Sequence, residues 1–216
     1  MIRSRLYNST LRIYGSCWFR NASTMQEAKS KLRNHIAEKL KQLTTEEKKK
    51  QSDYVVNELF KLPVFQVSER ISLFLSTDDE INTKPIMESI FERNRECFVP
   101  RYSKKGMEMV KLHSMEDWEN LPMTSWKIKQ PSLKEQRENA LDTGGLDLII
   151  VPGVAFTSDG KRTGHGGGYY DRFIQGIRKN QNKPPSTVAL AFKEQIVDDL
   201  PFSEYDQRID KVLYMS

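Results

Sequence analysis

Four glycines crowd into five residues, Gly164, Gly166, Gly167 and Gly168, directly before Tyr169-Tyr170-Asp171. Ordering so much side-chain-free backbone is entropically costly, so a dense cluster calls for a reason. The usual one is close approach of a bulky anion, with amide N–H groups and a helix N-terminus turned towards it. Lys161 and Arg162 place cations beside the loop, and Tyr169 to Asp171 read as the start of a helix. The stretch reads as a phosphate cradle, with a flexible loop that binds nothing as the alternative. It matches neither G-x-x-x-x-G-K-[ST] nor G-x-G-x-x-G, because Tyr169 stands where the third glycine of the latter would be.

Other residues could serve the same chemistry. Lys29 and Arg33 lie four apart in a helical pattern and so share one face, which by itself reads equally as a solvated face. The acidic stretch Asp78-Asp79-Glu80 follows an apolar run, where ligands bind in open α/β sheets, though acids also gather at helix starts such as the one Thr83 and Pro85 suggest. Arg101 follows a strand pattern and could contact phosphate or form a structural ion pair. Asp171 and Asp206 are candidate metal carboxylates; a helix cap and a surface turn are their plainer readings. His35 and His113 read as structural, whereas His165 sits inside the glycine loop.

The elements that must position these groups alternate along the chain. Thr24 and Glu27 have capping-box spacing, and Ala28, Leu32, Ile36, Leu40 and Leu43 recur at helical intervals. Thr44 with Glu47 opens a second helix that ends near Pro63. Ile71 to Leu75 alternates as a strand, Lys84 to about Asn94 reads as a helix, and Glu96–Arg101 and Met107–Leu112 as strands. Trp118 and Trp126 flank a loop, with Trp126 read as core rather than as a ring-stacking residue. Lys134–Asp142 reads as a solvated, mobile connection. Leu148 to Val151 is a buried strand, ended by Pro152 and Gly153 and followed by a polar turn at Ser158-Asp159-Gly160. A helix after Asp171, a strand at Thr187–Phe192 and a terminal strand at Val212–Tyr214 complete the series, which favours a mainly parallel sheet between helix layers.

Together these residues resemble the signature of the 5-formyltetrahydrofolate cyclo-ligases, or 5,10-methenyltetrahydrofolate synthetases: P-G-x-x-F, then G-x-R-x-G-x-G-x-G-Y-Y-D. Here the pattern is Pro152, Gly153, Phe156, Gly160, Arg162, Gly164, Gly166, Gly168, Tyr169, Tyr170 and Asp171, and the likeness extends along nearly the whole chain after residue 25. The resemblance implies a three-layer α/β/α sandwich with a mainly parallel sheet, of the kind shared with sugar-phosphate isomerases and CoA transferases. It implies ATP-driven cyclisation of 5-formyltetrahydrofolate to 5,10-methenyltetrahydrofolate, with ADP and phosphate released. It assigns ATP to Lys29, Arg33, Arg162, Thr163, Gly164, His165, Gly166, Gly167, Gly168, Tyr169 and Tyr170. The reduced folate falls to Leu75 and Glu80 with His165, Gly166, Gly167, Gly168 and Tyr169; Arg162 and Tyr169 would be catalytic, and Asp171 and Asp206 would hold Mg²⁺. Where relatives often carry Arg or Lys, this loop has His165 and Gly167, so it lacks a cation. Two alternatives stay open: an isomerase- or transferase-like enzyme, which would need a base or nucleophile near the loop where none stands out, and a folate- or nucleotide-binding protein without turnover.

Length and composition bound the reading. A chain of 216 residues with 38% hydrophobic content can build one substantial core, and no apolar run approaches the 18 residues of a membrane span. The net charge is +5, but Arg3, Arg5, Arg12 and Arg20 all lie in residues 1–24, which contain no acid. The remainder is nearly neutral, which argues against a nucleic-acid partner. That leader has the composition of a mitochondrial transit peptide; a disordered tail, or translation from Met25 with a cytoplasmic product, are the alternatives. Residues 25–216 are expected to form one domain, acting as a monomer. With Cys17 in the leader, Cys97 would be the single thiol of the mature chain, consistent with a reducing compartment.

Overall fold

The computed structural model describes residues 10–124 and 128–216, and of 10–23 only the backbone course. Three helices come first: α1 (Thr10–Lys41), α2 (Thr45–Lys61) and the short α3 (Pro63–Val67). They are followed by β1 (Arg70–Ser72), α4 (Lys84–Glu92), β2 (Glu96–Ser103), β3 (Gly106–Leu112), α5 (Met115–Glu119) and β4 (Leu148–Val151). A two-stranded hairpin of β5 (Ala155–Phe156) and β6 (Arg162–Thr163) then leads to α6 (Tyr169–Asn180), β7 (Ser186–Leu190) and β8 (Lys211–Leu213).

Six strands form one sheet in the order β3-β2-β1-β4-β7-β8. All neighbours are parallel except β2 and β3, which form an antiparallel pair from Cys97↔Leu112 to Ser103↔Gly106. The order of addition reverses between β1 and β4, and such a switch point opens a crevice at the carboxyl ends of the strands. The strand residues sort by parity into two cores. Cys97, Val99, Leu148, Ile150, Val188 and Leu190 face one cluster with residues of α1, α2 and α4. Phe98, Ile149, Val151 and Ala189 face the other with Phe173, Ile174 and Ile177 of α6. Both faces are therefore covered, which explains why β4 is apolar at every position, and the expected three-layer α/β/α sandwich is what forms.

Several sequence expectations need correction. The helix carrying Lys29 does not begin at Thr24: α1 runs through that residue, so the Thr24/Glu27 spacing does not mark a start. Thr44 does cap α2, its Oγ1 accepting from the Glu47 N–H at 3.1 Å. Strand β1 stops at Ser72; the Leu73 N–H still bonds Phe98 O at 2.8 Å, after which the buried chain leaves the ladder. Trp118 belongs to α5, whose Ser114 cap signals it but whose five residues are too few to show a period. Ser125, Trp126 and Lys127 lie outside the described residues, as does the placement of Arg3 and Arg5. The stretch 134–142 is largely solvent-exposed, as expected, but it is tied down rather than free. Glu138 O and the Ala140 N–H bond Lys111 and Met109, covering the edge of β3, and the Arg137 side chain, 4% exposed, pairs with Asp117. Among the described residues no helix is long and apolar enough to cross a membrane.

One buried side chain fixes how the chain leaves β4. Gln195 donates from Nε2 to Gly153 O at 2.8 Å and Val154 O at 3.2 Å, and its Oε1 accepts the Phe192 N–H at 2.9 Å. Removing it strands three backbone groups out of reach of water. Gln195→Ala should lower unfolding stability by about 2 kcal/mol or more in urea denaturation; a loss below about 0.5 kcal/mol would show that this anchor is dispensable.

Candidate active site

A cavity of about 630 Å³ opens at the carboxyl ends of β2 and β4, within the size range of small-molecule sites. Its floor is Pro152, Gly153, Arg162 and Thr163, where the chain leaves β4 and returns through the hairpin. The glycine loop from Gly164 to Gly168 and the first turn of α6 form one wall. Met25, Gln26, Lys29 and Arg33 of α1 form the opposite one, and Ser203 to Asp206 and Tyr102 complete it. Helix α1 reaches this position because Ile36 and Leu40 anchor its later turns in the core and it packs against β5 and the turn at Lys193–Gln195.

The loop's glycines have distinct reasons. Gly166 (φ 106°) and Gly168 (φ 63°) adopt left-handed backbone that side chains disfavour. Gly167 is required by space, since an added Cβ would meet the Tyr169 ring at 2.7 Å. Gly168 stands immediately before α6 with no capping side chain, so the helix's first amide groups are not occupied by a cap.

Charge is arranged in pairs. The buried Arg162 guanidinium donates to Asp171 Oδ2 at 2.9 Å and to Pro152 O at 3.3 Å, while its Nε has no hydrogen-bond partner among the described residues. Asp171 Oδ1 also accepts the Gln207 N–H at 3.0 Å, which draws the C-terminal loop against α6. From α1, Lys29 reaches Asp206 at 2.6 Å, and Arg33 Nε donates to Gly164 O at 2.7 Å. Asp206 Oδ2 accepts from the Ser203 N–H and Oγ as well. The expected cations and the expected metal carboxylates are thus brought together and matched one against the other. Asp171 and Asp206 are not merely a helix cap and a surface turn.

Not every expected residue lines this cavity. Lys161 points away and pairs with Asp199 at 2.6 Å, so it is no part of the cradle. Arg101 forms the structural ion pair, with Glu108 at 3.0 Å and the carbonyls of Ser132 and Glu135. Leu75 is buried in the core beneath the β1 loop and lies outside the cavity lining. Glu80, on that loop, accepts from the Thr77 N–H and hydroxyl at 2.9 and 3.0 Å; it too lies just outside the lining, but near enough for its charge to oppose ionisation of Tyr102 and Tyr170. Burial raises the Glu80 carboxyl above its ordinary range against the pull of those Thr77 bonds. His35 and His113 are exposed, away from the cavity, whereas exposed His165 lines it.

Sequence reasoning missed Tyr102 altogether. It sits one residue beyond Arg101 in β2, and its ring meets Tyr169 edge-on at 5.1 Å. Burial pushes its phenol up to about 12. The Tyr170 phenol is buried too and raised by that burial; Tyr102 is close enough to perturb it, yet the hydroxyl has no well-formed hydrogen bond among the described residues. Alternation along the strand would have separated Tyr102 from Arg101, but only the register places it beside the loop.

Fold and site together define a doubly covered α/β protein with a glycine-lined, charged cavity at its sheet switch point. The comparisons make this specific: the model of the 5-formyltetrahydrofolate cyclo-ligase family matches residues 25–215, and the chain belongs to that family. It is 44% identical over 195 residues to the mouse 5-formyltetrahydrofolate cyclo-ligase, covering 89% of this chain and 96% of that one. It is 38% identical to a probable 5-formyltetrahydrofolate cyclo-ligase of Caenorhabditis elegans, covering 89% and 95%. The solved structure of Aquifex aeolicus 5,10-methenyltetrahydrofolate synthetase superposes with a TM-score of 0.69 at 29% identity, over 86% of this chain and 88% of that one.

The Lys29–Asp206 pair has a measurable consequence. Burial opposes ionisation of Asp206, but the Lys29 ammonium and the Ser203 donors outweigh it and hold the carboxyl below its ordinary value of 3.8. A depressed carboxyl stabilises the fold above the unfolded-state value and loses that contribution as pH falls through the folded-state one. Unfolding stability should therefore drop below about pH 4, and Asp206→Asn should flatten part of that acid limb. An identical acid limb in the variant would contradict the pairing.

Proposed function

We propose that the chain converts 5-formyltetrahydrofolate and ATP to 5,10-methenyltetrahydrofolate, ADP and phosphate, with Mg²⁺ as cofactor. The observation that carries this reading is the convergence of Lys29, Arg33, Arg162, the glycine loop, Tyr169, Asp171 and Asp206 on one cavity. Its size and charge suit a nucleotide triphosphate tail beside a second, aromatic-lined substrate.

A formamide oxygen is a poor leaving group, so the reaction begins by making it a good one. The formyl oxygen attacks the γ-phosphorus, ADP leaves, and an imidate-like phosphate is formed. N10 then bonds to the activated carbon and gives up its proton to the departing phosphate or to solvent, the carbon–oxygen bond breaks, and phosphate leaves as the ring closes. Little covalent chemistry falls to the protein, which positions the reactants and neutralises charge. Lys29, Arg33, Arg162, Thr163, His165 and Tyr170, with the loop amides of Gly164, Gly166, Gly167 and Gly168, hold the triphosphate in this reading. Tyr169 contacts the formyl end. Glu80 holds the pterin from the β1 side, where its raised carboxyl suits a group that hydrogen-bonds a neutral heterocycle, while Leu75, buried in the core, supports that loop rather than touching the substrate.

Among the described residues no group of three or more His, Cys, Asp or Glu could hold a metal ion. Mg²⁺ does not need one: it commonly takes one or two carboxylates and completes its shell with phosphate oxygens and water. Asp171 and Asp206 both line the cavity and fit that donor set. Bound there, Mg²⁺ would neutralise phosphate charge. The proposal extends to location. A leader without acids suits mitochondrial import, and the Arabidopsis thaliana relative, 27% identical, is named as mitochondrial.

Purified protein mixed with 5-formyltetrahydrofolate and Mg-ATP should produce a rise in methenyltetrahydrofolate absorbance that disappears when ATP or Mg²⁺ is left out. Nucleotide binding without that rise would identify a non-catalytic binding protein instead.

A further inference from the structure

Arg172 belongs to none of the roles above, yet its side chain is engaged entirely with the glycine loop. It projects from the first turn of α6 and donates from Nη2 to the carbonyl of Gly167 at 2.8 Å. Its guanidinium carbon lies 5.2 Å from the centre of the Tyr169 ring, which also meets Tyr102 edge-on. A Cβ added at Gly168 would come within 2.8 Å of Arg172 Nη1, so the guanidinium and the bare backbone fit each other closely.

The position matters because of the peptide plane. Gly167, Gly168 and Tyr169 line the cavity and Arg172 does not, so the guanidinium grips the loop from behind. No described peptide bond is cis. In a trans peptide the carbonyl and the following N–H point in opposite directions. Holding the Gly167 carbonyl towards Arg172 therefore turns the Gly168 N–H to the other side, where the cavity lies. The same group neutralises the carbonyl's negative end, which would otherwise be free to swing towards an incoming anion. Glycine backbone has no side chain to restrict it, so an external clamp is what selects this orientation.

We propose that Arg172 is a positioning residue that fixes the Gly167–Gly168 peptide in the phosphate-binding arrangement, acting on the nucleotide through the loop. This rests on the reading that the loop binds the nucleotide.

The test compares wild type with Arg172→Ala and Arg172→Lys in the full chain, by calorimetric titration with Mg-ADP, by KM for each substrate and by thermal melting. Losing one charge-assisted clamp should weaken Mg-ADP about tenfold and raise the KM for ATP similarly, while the KM for 5-formyltetrahydrofolate changes less than about twofold. The melting temperature should be unchanged, and Arg172→Lys, which can still donate to the carbonyl, should recover part of the loss. If Arg172→Ala does not fold, Arg172→Gln, which keeps a donor but no charge, serves in its place. Unaltered nucleotide affinity in the variant overturns the proposal. A parallel loss for both substrates with a lowered melting temperature also overturns it, because that is a general packing defect. A wild type that turns over while the variant matches it refutes the clamp alone; a wild type that neither turns over nor binds Mg-ADP refutes the nucleotide reading and the clamp with it.

Discussion

The buried pair between Arg162 and Asp171 sets the geometry on which the site depends. A guanidinium whose side chain is 4% exposed is very costly without a partner, and its partner is the carboxylate nine residues on, 2.9 Å away. That requirement holds β6 against the first turn of α6 and leaves the intervening chain to bend back within a few residues. A Cβ at position 164 would lie 2.7 Å from Arg162 Nη1, so the glycine there makes room for the guanidinium that forms the pair. The second oxygen of Asp171 takes the Gln207 N–H, and the neighbouring Asp206 takes Lys29. Segments from both ends of the chain are thereby tied to the loop through two carboxylates.

This arrangement is close to neutral before any ligand arrives. Lys29 is matched by Asp206 and Arg162 by Asp171, while Arg33 is held by a carbonyl rather than a carboxylate. In the proposed reaction a metal-bound polyphosphate brings the complementary set of charges. The cations can turn to phosphate oxygens as the carboxylates turn to the ion, so neither is left alone in a poorly hydrated site. The preformed pairs thus keep the cavity open and charged groups in place without a large net field of either sign.

Much of this was legible in the chain itself, for identifiable reasons. The parallel sheet announces itself through Leu148 to Val151, apolar at every position because helices cover both faces. The Gly-Gly-Gly-Tyr-Tyr-Asp run is unusual enough to mark the loop, and the four-residue spacing of Lys29 and Arg33 puts them on one helix face. What escaped depends on distance in sequence. Nothing near Asp206 says that Lys29, 177 residues earlier, will meet it. Lys161 looks equivalent to Arg162 until the β5–β6 hairpin sends the two neighbours to opposite sides, one to the buried pair and the other to Asp199. Tyr102 was hidden because its importance comes from strand register, and the anchoring of 134–142 was hidden because it rests on backbone bonds to β3 and on the buried pair of Arg137 with Asp117, while most of its side chains stay exposed.

The central claim is that the bare backbone of residues 164–168 grips the nucleotide. Labelling the glycines with ¹⁵N and titrating the protein with Mg-ADP addresses it directly, since the chain has only 11 glycines and most lie elsewhere. The account predicts large amide shifts at Gly164, Gly166, Gly167 and Gly168, with Gly106, Gly144 and Gly176 unmoved. Binding that shifts the distant glycines and leaves the loop amides where they were would contradict it.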